Sequence, residues 1–317
     1  MHTMGTPGLW IAFIAIVCVA LVVDFWVLGR HGAHRVSLRE AAWWSLAWIA
    51  LALAFNAALW WWTDGHGGRA AANEVGLEFL TGYLLEKALS VDNIFVFLLV
   101  LNTFAVPAEL RQRALMLGVL GAIALRALMI LVGAALIARF HWILYLFGVF
   151  LVVTGAKMLL TPPSEPDLDH NPVLRWMRGH LRITRGFHGQ QLRVVEDGRT
   201  AFTPLFLVLV LLAVVDVVFA VDSIPAIFAV TLDPFVVLTS NVFAVLGLRA
   251  LFFLLAGMAD RFHLLGYGLA AVLVFIGAKM LVAPWYKMPI GLALGVVAAL
   301  IVASMLASLV VAPRRSG

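Results

Sequence analysis

The chain reads as long apolar runs separated by short polar intervals, and the runs have the length of a bilayer. Nine can be marked, at residues 8–29, 41–62, 78–101, 112–138, 141–160, 203–232, 236–258, 262–283 and 289–311. About 20 apolar residues in helical conformation cross the hydrocarbon core, where an open backbone would go unsolvated. The pattern therefore predicts an all-α, polytopic bundle of about nine transmembrane helices. The first run is too long for the apolar region of a signal peptide. It has no Lys or Arg ahead of it and is followed by Arg30, Arg35 and Arg39, so it is expected to remain as an uncleaved helix.

One order of residues occurs twice. Leu125-Arg126-Ala127-Leu128, Arg139-Phe140-His141 and Gly155-Ala156-Lys157-Met158-Leu159 return as Leu248-Arg249-Ala250-Leu251, Arg261-Phe262-His263 and Gly277-Ala278-Lys279-Met280-Leu281. Matching Glu86 with Asp216 and Asp92 with Asp222 extends the repeat to runs three to five against runs six to eight. Three is odd, so the second copy is expected to enter the membrane from the opposite side. Such inverted repeats are common in transporters, with the substrate near the midplane between the copies. The expected division is two N-terminal helices in 1–75, repeat one in 76–160, a cytoplasmic linker in 161–202, repeat two in 203–285 and a last helix in 286–317. Within the linker, Leu174 to Arg182 suits a basic amphipathic helix on an anionic leaflet. The segment reads as a connector between the copies, with a partner-binding surface as the alternative.

Composition agrees: 63% hydrophobic, 12% charged, mean hydropathy +1.02. The charge adds an orientation. Fourteen Lys and Arg fall in the alternate intervals that begin after run one, and three, Arg69, Arg139 and Lys287, in the others. The positive-inside tendency puts the N-terminus outside and the C-terminus in the cytoplasm, with the protein in a bacterial cytoplasmic (inner) membrane. The net charge of +5 is thereby explained by topology, and no basic patch interleaved with aromatics suggests nucleic acid. A single cysteine, Cys18, excludes an intramolecular disulfide, and no Cys/His cluster has zinc spacing.

The chemistry is expected inside the runs. Glu86 and Asp92 lie six residues apart in Glu86-Lys87-Ala88-Leu89-Ser90-Val91-Asp92-Asn93, and Asp216 and Asp222 repeat the spacing. Charge in hydrocarbon is costly. These acids are either ligands for a cation in passage or are neutralised for packing by the intramembrane bases Lys87, Arg126, Lys157, Arg249 and Lys279. Buried ion pairs stabilise poorly, which favours the ligand reading. Six helical residues advance about 9 Å and leave two side chains about 120° apart, so either each span breaks between its acids or the acids form two layers. Pro225 lacks the N–H that would bond the carbonyl of Val221, and is the candidate helix break. Asn93 and Ser223 occupy matching places and could add neutral oxygens. Carboxylates, amide, hydroxyl and carbonyl suit Mg²⁺, Ca²⁺ or Mn²⁺. Arg126 and Arg249 lie mid-span and are expected to pair with an acid of their own or the other copy, in a pair that opens when a cation arrives. A released carboxylate can also carry a proton, which would allow proton-coupled exchange. Lys87 is read as balancing Glu86 or holding the empty site closed. Asp24 is expected to be capped by Arg30 or a neighbour, with gating as its alternative role. His141 and His263 read as interfacial. No enzyme motif occurs, so no catalytic residue and no tightly bound cofactor are expected.

At these residues the sequence resembles the TerC family of integral membrane proteins, in its Alx branch. The carrying stretches are Phe79 to Lys87, Ser90-Val91-Asp92-Asn93, Phe219-Ala220-Val221-Asp222-Ser223-Ile224-Pro225-Ala226-Ile227, Asn241 and Gly247-Leu248-Arg249-Ala250. The resemblance implies a LysE-like transporter, manganese export, an alkaline-pH response, and metal ligation at positions 86, 92, 216 and 222. It also carries older readings, as a membrane-bound redox modulator or tellurium-resistance protein. A translocon-associated factor that metallates exported proteins is a further alternative. In the family pattern a glutamate stands three residues before the aspartate matched by Asp216. Here that position is Ala213, which implies weaker binding or a shifted ion preference.

Overall fold

The computed structural model describes residues 3–31, 37–140, 142–160, 172–196, 199–256, 264–286 and 288–310. The chain is helical nearly throughout: α1 Pro7–His31, α2 Leu38–Thr103, α3 Ala108–Arg139, α4 Ile143–Leu160, the short α5 Pro172–His180, α6 Pro204–Phe228, α7 Pro234–Leu246, α8 Leu248–Ala256, α9 Leu265–Val282 and α10 Ile290–Val310.

Although α2 is a single run of helical residues, it is a hairpin. At Gly68 the backbone turns to φ 80°, ψ 169°, a conformation that side chains with a Cβ resist. Phe55 and Phe79 would stand about 36 Å apart on one straight helix. Their rings meet at 5.6 Å. Trp60 Nε1 also donates to Asn73 Oδ1 at 2.9 Å, so residues 38–67 and 69–103 form antiparallel limbs. The first limb opens on an N-cap, with Ser37 Oγ accepting from the Glu40 N–H. Counting the limbs separately, and α7 with α8 as one span bent by 43°, gives nine membrane-length segments among the described residues. The sides alternate accordingly. Thr3 and Met4 hydrogen-bond Asp233 before α7, joining the N-terminus to one face, while Arg113 on α3 donates to Gln190 on the other.

The third helices of the two expected repeats, α4 and α9, pack intimately and antiparallel. A Cβ on Gly155 would stand 2.6 Å from the carbonyl oxygen of Ala270 and 2.9 Å from the backbone N of Val274. One on Gly277 would stand 2.6 Å from the carbonyl oxygen of Gly148 and 2.9 Å from the N of Val152. Each glycine meets residues seven and three positions before the other. The contact is thus its own image under a local two-fold axis across the helices, and it depends on small residues, as close helix packing in lipid does.

The second span of the second copy behaves differently from its counterpart. Where α3 runs unbroken, α7 stops at Gly247 and α8 begins at Leu248. A Cβ on Gly247 would stand 2.9 Å from Lys87 Nζ and 3.0 Å from Trp48 Cβ. Between α4 and α6, α5 seats Met177 in the apolar cluster of α2, α3, α6 and α8 and leaves Trp176 exposed. A short hairpin follows, with β1 Arg193–Glu196 antiparallel to β2 Arg199–Phe202.

Candidate intramembrane carboxylate site

Four helices bring polar groups to one place within the apolar core. The second limb of α2 supplies Glu86, Ser90 and Asn93, α3 supplies Arg126, α6 supplies Asp216, and α7 supplies Asn241. Glu86, Arg126, Asp216 and Asn241 are each at most 1% exposed. On α2 the spacing of Glu86, Ser90 and Asn93 places them along one helix face, four and three residues apart.

Arg126 is the hub. Its Nη1 forms an ion pair with Glu86 Oε1 and donates to Asn241 Oδ1 at 3.4 Å. Its Nη2 and Nε donate to Asp216 Oδ1 at 3.0 and 3.3 Å. Glu86 also accepts from Ser90 Oγ at 3.2 Å and from Asn241 Nδ2 at 3.2 Å. With its amide turned to satisfy both ends, Asn93 donates to the Leu89 carbonyl at 3.1 Å and accepts from Arg126 Nη2 at 3.0 Å. One guanidinium therefore bridges two carboxylates from the two sequence copies. With both acids ionised the group is one positive charge short of neutral, an imbalance that the membrane interior penalises.

The remaining intramembrane charges are placed elsewhere. Arg249 on α8 forms a two-point pair with Asp24 on α1, Nη2 to Oδ1 at 2.5 Å and Nε to Oδ2 at 3.2 Å. The expected cap on Asp24, Arg30 or a neighbour, includes Arg249, while the side chain of Arg30 lies outside the described residues; of the copies' matched acids whose side chains are described, Glu86 and Asp216, Arg249 contacts neither. Lys87 turns away from Glu86. Its Nζ donates to the Ala244 carbonyl at 3.1 Å, in the last turn of α7, where carbonyls lack helical partners and favour a cation. Ser223, which matches Asn93, is buried and its Oγ has no partner among the described residues.

The side chains of Asp92 and Asp222, as well as His141 and His263, lie outside the described residues. The helices themselves run on through positions 92 and 222. Pro225 does not break α6, which continues to Phe228. The N–H it lacks leaves the Val221 carbonyl, one turn earlier, without its helical partner, but the helix continues past it. The break lies instead at Gly247. Among the described residues no three carboxylate, His or Cys groups converge as a ready-made metal cluster. What converges is two carboxylates with the neutral oxygens of Ser90, Asn93 and Asn241.

Asn241 carries a role in this centre that sequence reasoning did not assign. The available signal was a lone amide within an apolar span. A further polar contact joins α2 to the turn after α6, where Thr231 Oγ1 donates to Glu78 Oε2 at 2.8 Å.

The family described as "Integral membrane protein TerC family" matches residues 71–316. The chain is 54% identical over 302 residues to a protein of Escherichia coli (strain K12) provisionally named membrane-bound redox modulator Alx, covering 95% of this chain and 94% of that one. A protein of Salmonella typhi with the same name is 52% identical, over 94% and 92% of the two chains. An uncharacterized membrane protein of Myxococcus xanthus is 47% identical, over 97% and 94%. No solved structure matches the chain.

Proposed function

The chain belongs to the TerC family of integral membrane proteins, in its Alx branch, and on that premise we propose that it carries divalent cations, manganese foremost, out of the cytoplasm across a bacterial inner membrane. The observation that supports this most is Arg126 seated between Glu86 and Asp216, a tethered cation on a pair of acids drawn from both copies. A carboxylate pair buried only for stability would be an uneconomical choice, since apolar side chains of similar volume do as well. A pair that exchanges one cation for another has a use for its charge.

The donor set fits the cargo. When the guanidinium withdraws, it frees oxygens on Glu86, Asp216, Asn93 and Asn241, with Ser90 beside them. Hard divalent ions take oxygen ligands of this kind. A divalent ion balances two carboxylates fully. A guanidinium together with one proton does the same, and this links the exchange to a proton. The self-complementary α4–α9 contact is the arrangement that an inverted repeat would produce, and it supports a site between two copies that rock against each other. The excess of basic residues on alternate intervals supports an external N-terminus and a cytoplasmic C-terminus. The redox wording in the relatives' name finds less support, because a single cysteine cannot form a dithiol couple within one chain.

A titration of the purified protein with Mn²⁺ tests the competition. In an Asp24→Asn/Arg249→Gln background, where no second guanidinium is at hand, the Arg126→Gln variant lacks any tethered competitor and is expected to bind Mn²⁺ at least tenfold more tightly than that background alone. Equal or weaker binding in a folded variant would refute the exchange.

A further inference from the structure

The two copies use matched residues unequally. In the first, Arg126 engages Glu86 and Asn93 of its own copy and Asp216 of the other. In the second, the matched Arg249 engages neither Glu86 nor Asp216, and Ser223, the match of Asn93, is 1% exposed with no partner among the described residues for its hydroxyl. Arg249 is held instead by Asp24, which lies on α1, outside both copies. We propose that Arg249 is the second guanidinium of a two-arginine exchange. In the opposite-facing empty state it leaves Asp24, takes over the Glu86–Asp216 pair and donates to Ser223, while Arg126 withdraws.

Three features of the fold fit this movement. First, Arg249 stands two residues after Gly247, at the 43° bend between α7 and α8, whereas the matched stretch of α3 is continuous. The reorienting segment is short, and its pivot is a residue without a side chain. Second, Lys87 is bound to the Ala244 carbonyl just before the pivot, so the bend is clamped from the same helix that carries Glu86. Third, Leu248, next to Arg249, packs in the same apolar cluster as Ile94, next to Asn93, so the base of Arg249 already borders the helix bearing Glu86. Asp24 serves as a parking carboxylate. It neutralises Arg249 in lipid during the half of the cycle in which Arg126 occupies the acids.

The exchange rests on the transport reading for its purpose and is tested without measuring transport. If the two arginine pairs are independent, Arg126→Gln should lower the thermal midpoint equally in wild type and in the charge-neutral Asp24→Asn/Arg249→Gln background, because separated sites add. If Arg249 can replace Arg126, the same change should be far more damaging in the second background. The fraction of monodisperse protein surviving a heat step should then fall at least tenfold further. A second measurement covers the case in which the triple variant does not fold. Spin labels at Val22 on α1 and Leu254 on α8, with Cys18→Ser, report the α1–α8 separation in the Arg126→Gln single variant. The exchange requires a second, longer distance population that wild type lacks. An unchanged distribution, or additive midpoints, would overturn it. Coupling without cation flux would leave the exchange standing and remove the transport reading, and flux without coupling would do the reverse.

Discussion

At the scale of single residues, the centre is governed by what a buried charge requires. Arg126 satisfies two carboxylates at once, so its loss costs more than the loss of any neutral neighbour. In the Asp24→Asn/Arg249→Gln background, Arg126→Met leaves two acids unpaired, an expected cost of about 3–5 kcal/mol. Asn241→Ala removes one donor to Glu86 and one acceptor for Arg126, at about 1–3 kcal/mol. Thermal unfolding in detergent should rank the two in that order, and equal midpoints would contradict the hub role of Arg126. The acids and arginines were legible in the sequence because charge stands out in an apolar run. That Arg126 pairs with an acid of its own or the other copy was expected too, but the individual partners were not. Asn241 reaches Glu86 across 155 positions of sequence, and Arg249 reaches Asp24 across 225. Such registers follow from how α7 and α8 pack on their neighbours, which no local pattern encodes.

Among the helices, glycine decides more than proline. Pro225 was the visible breaker, yet α6 continues past it to Phe228. Gly247 had no local signal to set it apart, because its significance is the approach of Lys87 and Trp48 from other segments. At the α4–α9 contact the repeated Gly-Ala-Lys-Met-Leu was legible as self-similarity, but the backbone-to-backbone approach behind it was not. Because that contact is reciprocal, Gly155→Leu and Gly277→Leu are expected to reduce the yield of monodisperse protein by similar, large factors. Gly121→Leu, where a Cβ meets nothing within 4 Å, is expected to be tolerated. Size-exclusion chromatography of the three fluorescent fusions checks this, and a mild effect at either repeat glycine would mean that α4 and α9 separate easily.

For the whole molecule, the nine apolar runs and their approximate ends were readable because the bilayer imposes both length and hydropathy. Hydropathy separates runs 41–62 and 78–101, the two limbs of α2; what it hides is that the interval between them stays helical on both sides of a reversal at Gly68. The β1–β2 hairpin is hidden for the opposite reason: two four-residue strands in a polar segment carry too short an alternation to register. The distribution of Lys and Arg supports the proposed orientation. A C-terminal green fluorescent protein fusion is therefore expected to fluoresce and a C-terminal alkaline phosphatase fusion to be inactive, with the reverse pattern inverting the topology. The most direct test of the central claim is Mn²⁺ flux into sealed vesicles containing wild type, Glu86→Gln or Asp216→Asn, read together with a pH dye. The account requires Mn²⁺ movement with an opposing proton signal in wild type and at least a tenfold loss in both correctly inserted variants. Flux that persists unchanged in either variant, or its absence from wild type, would contradict it.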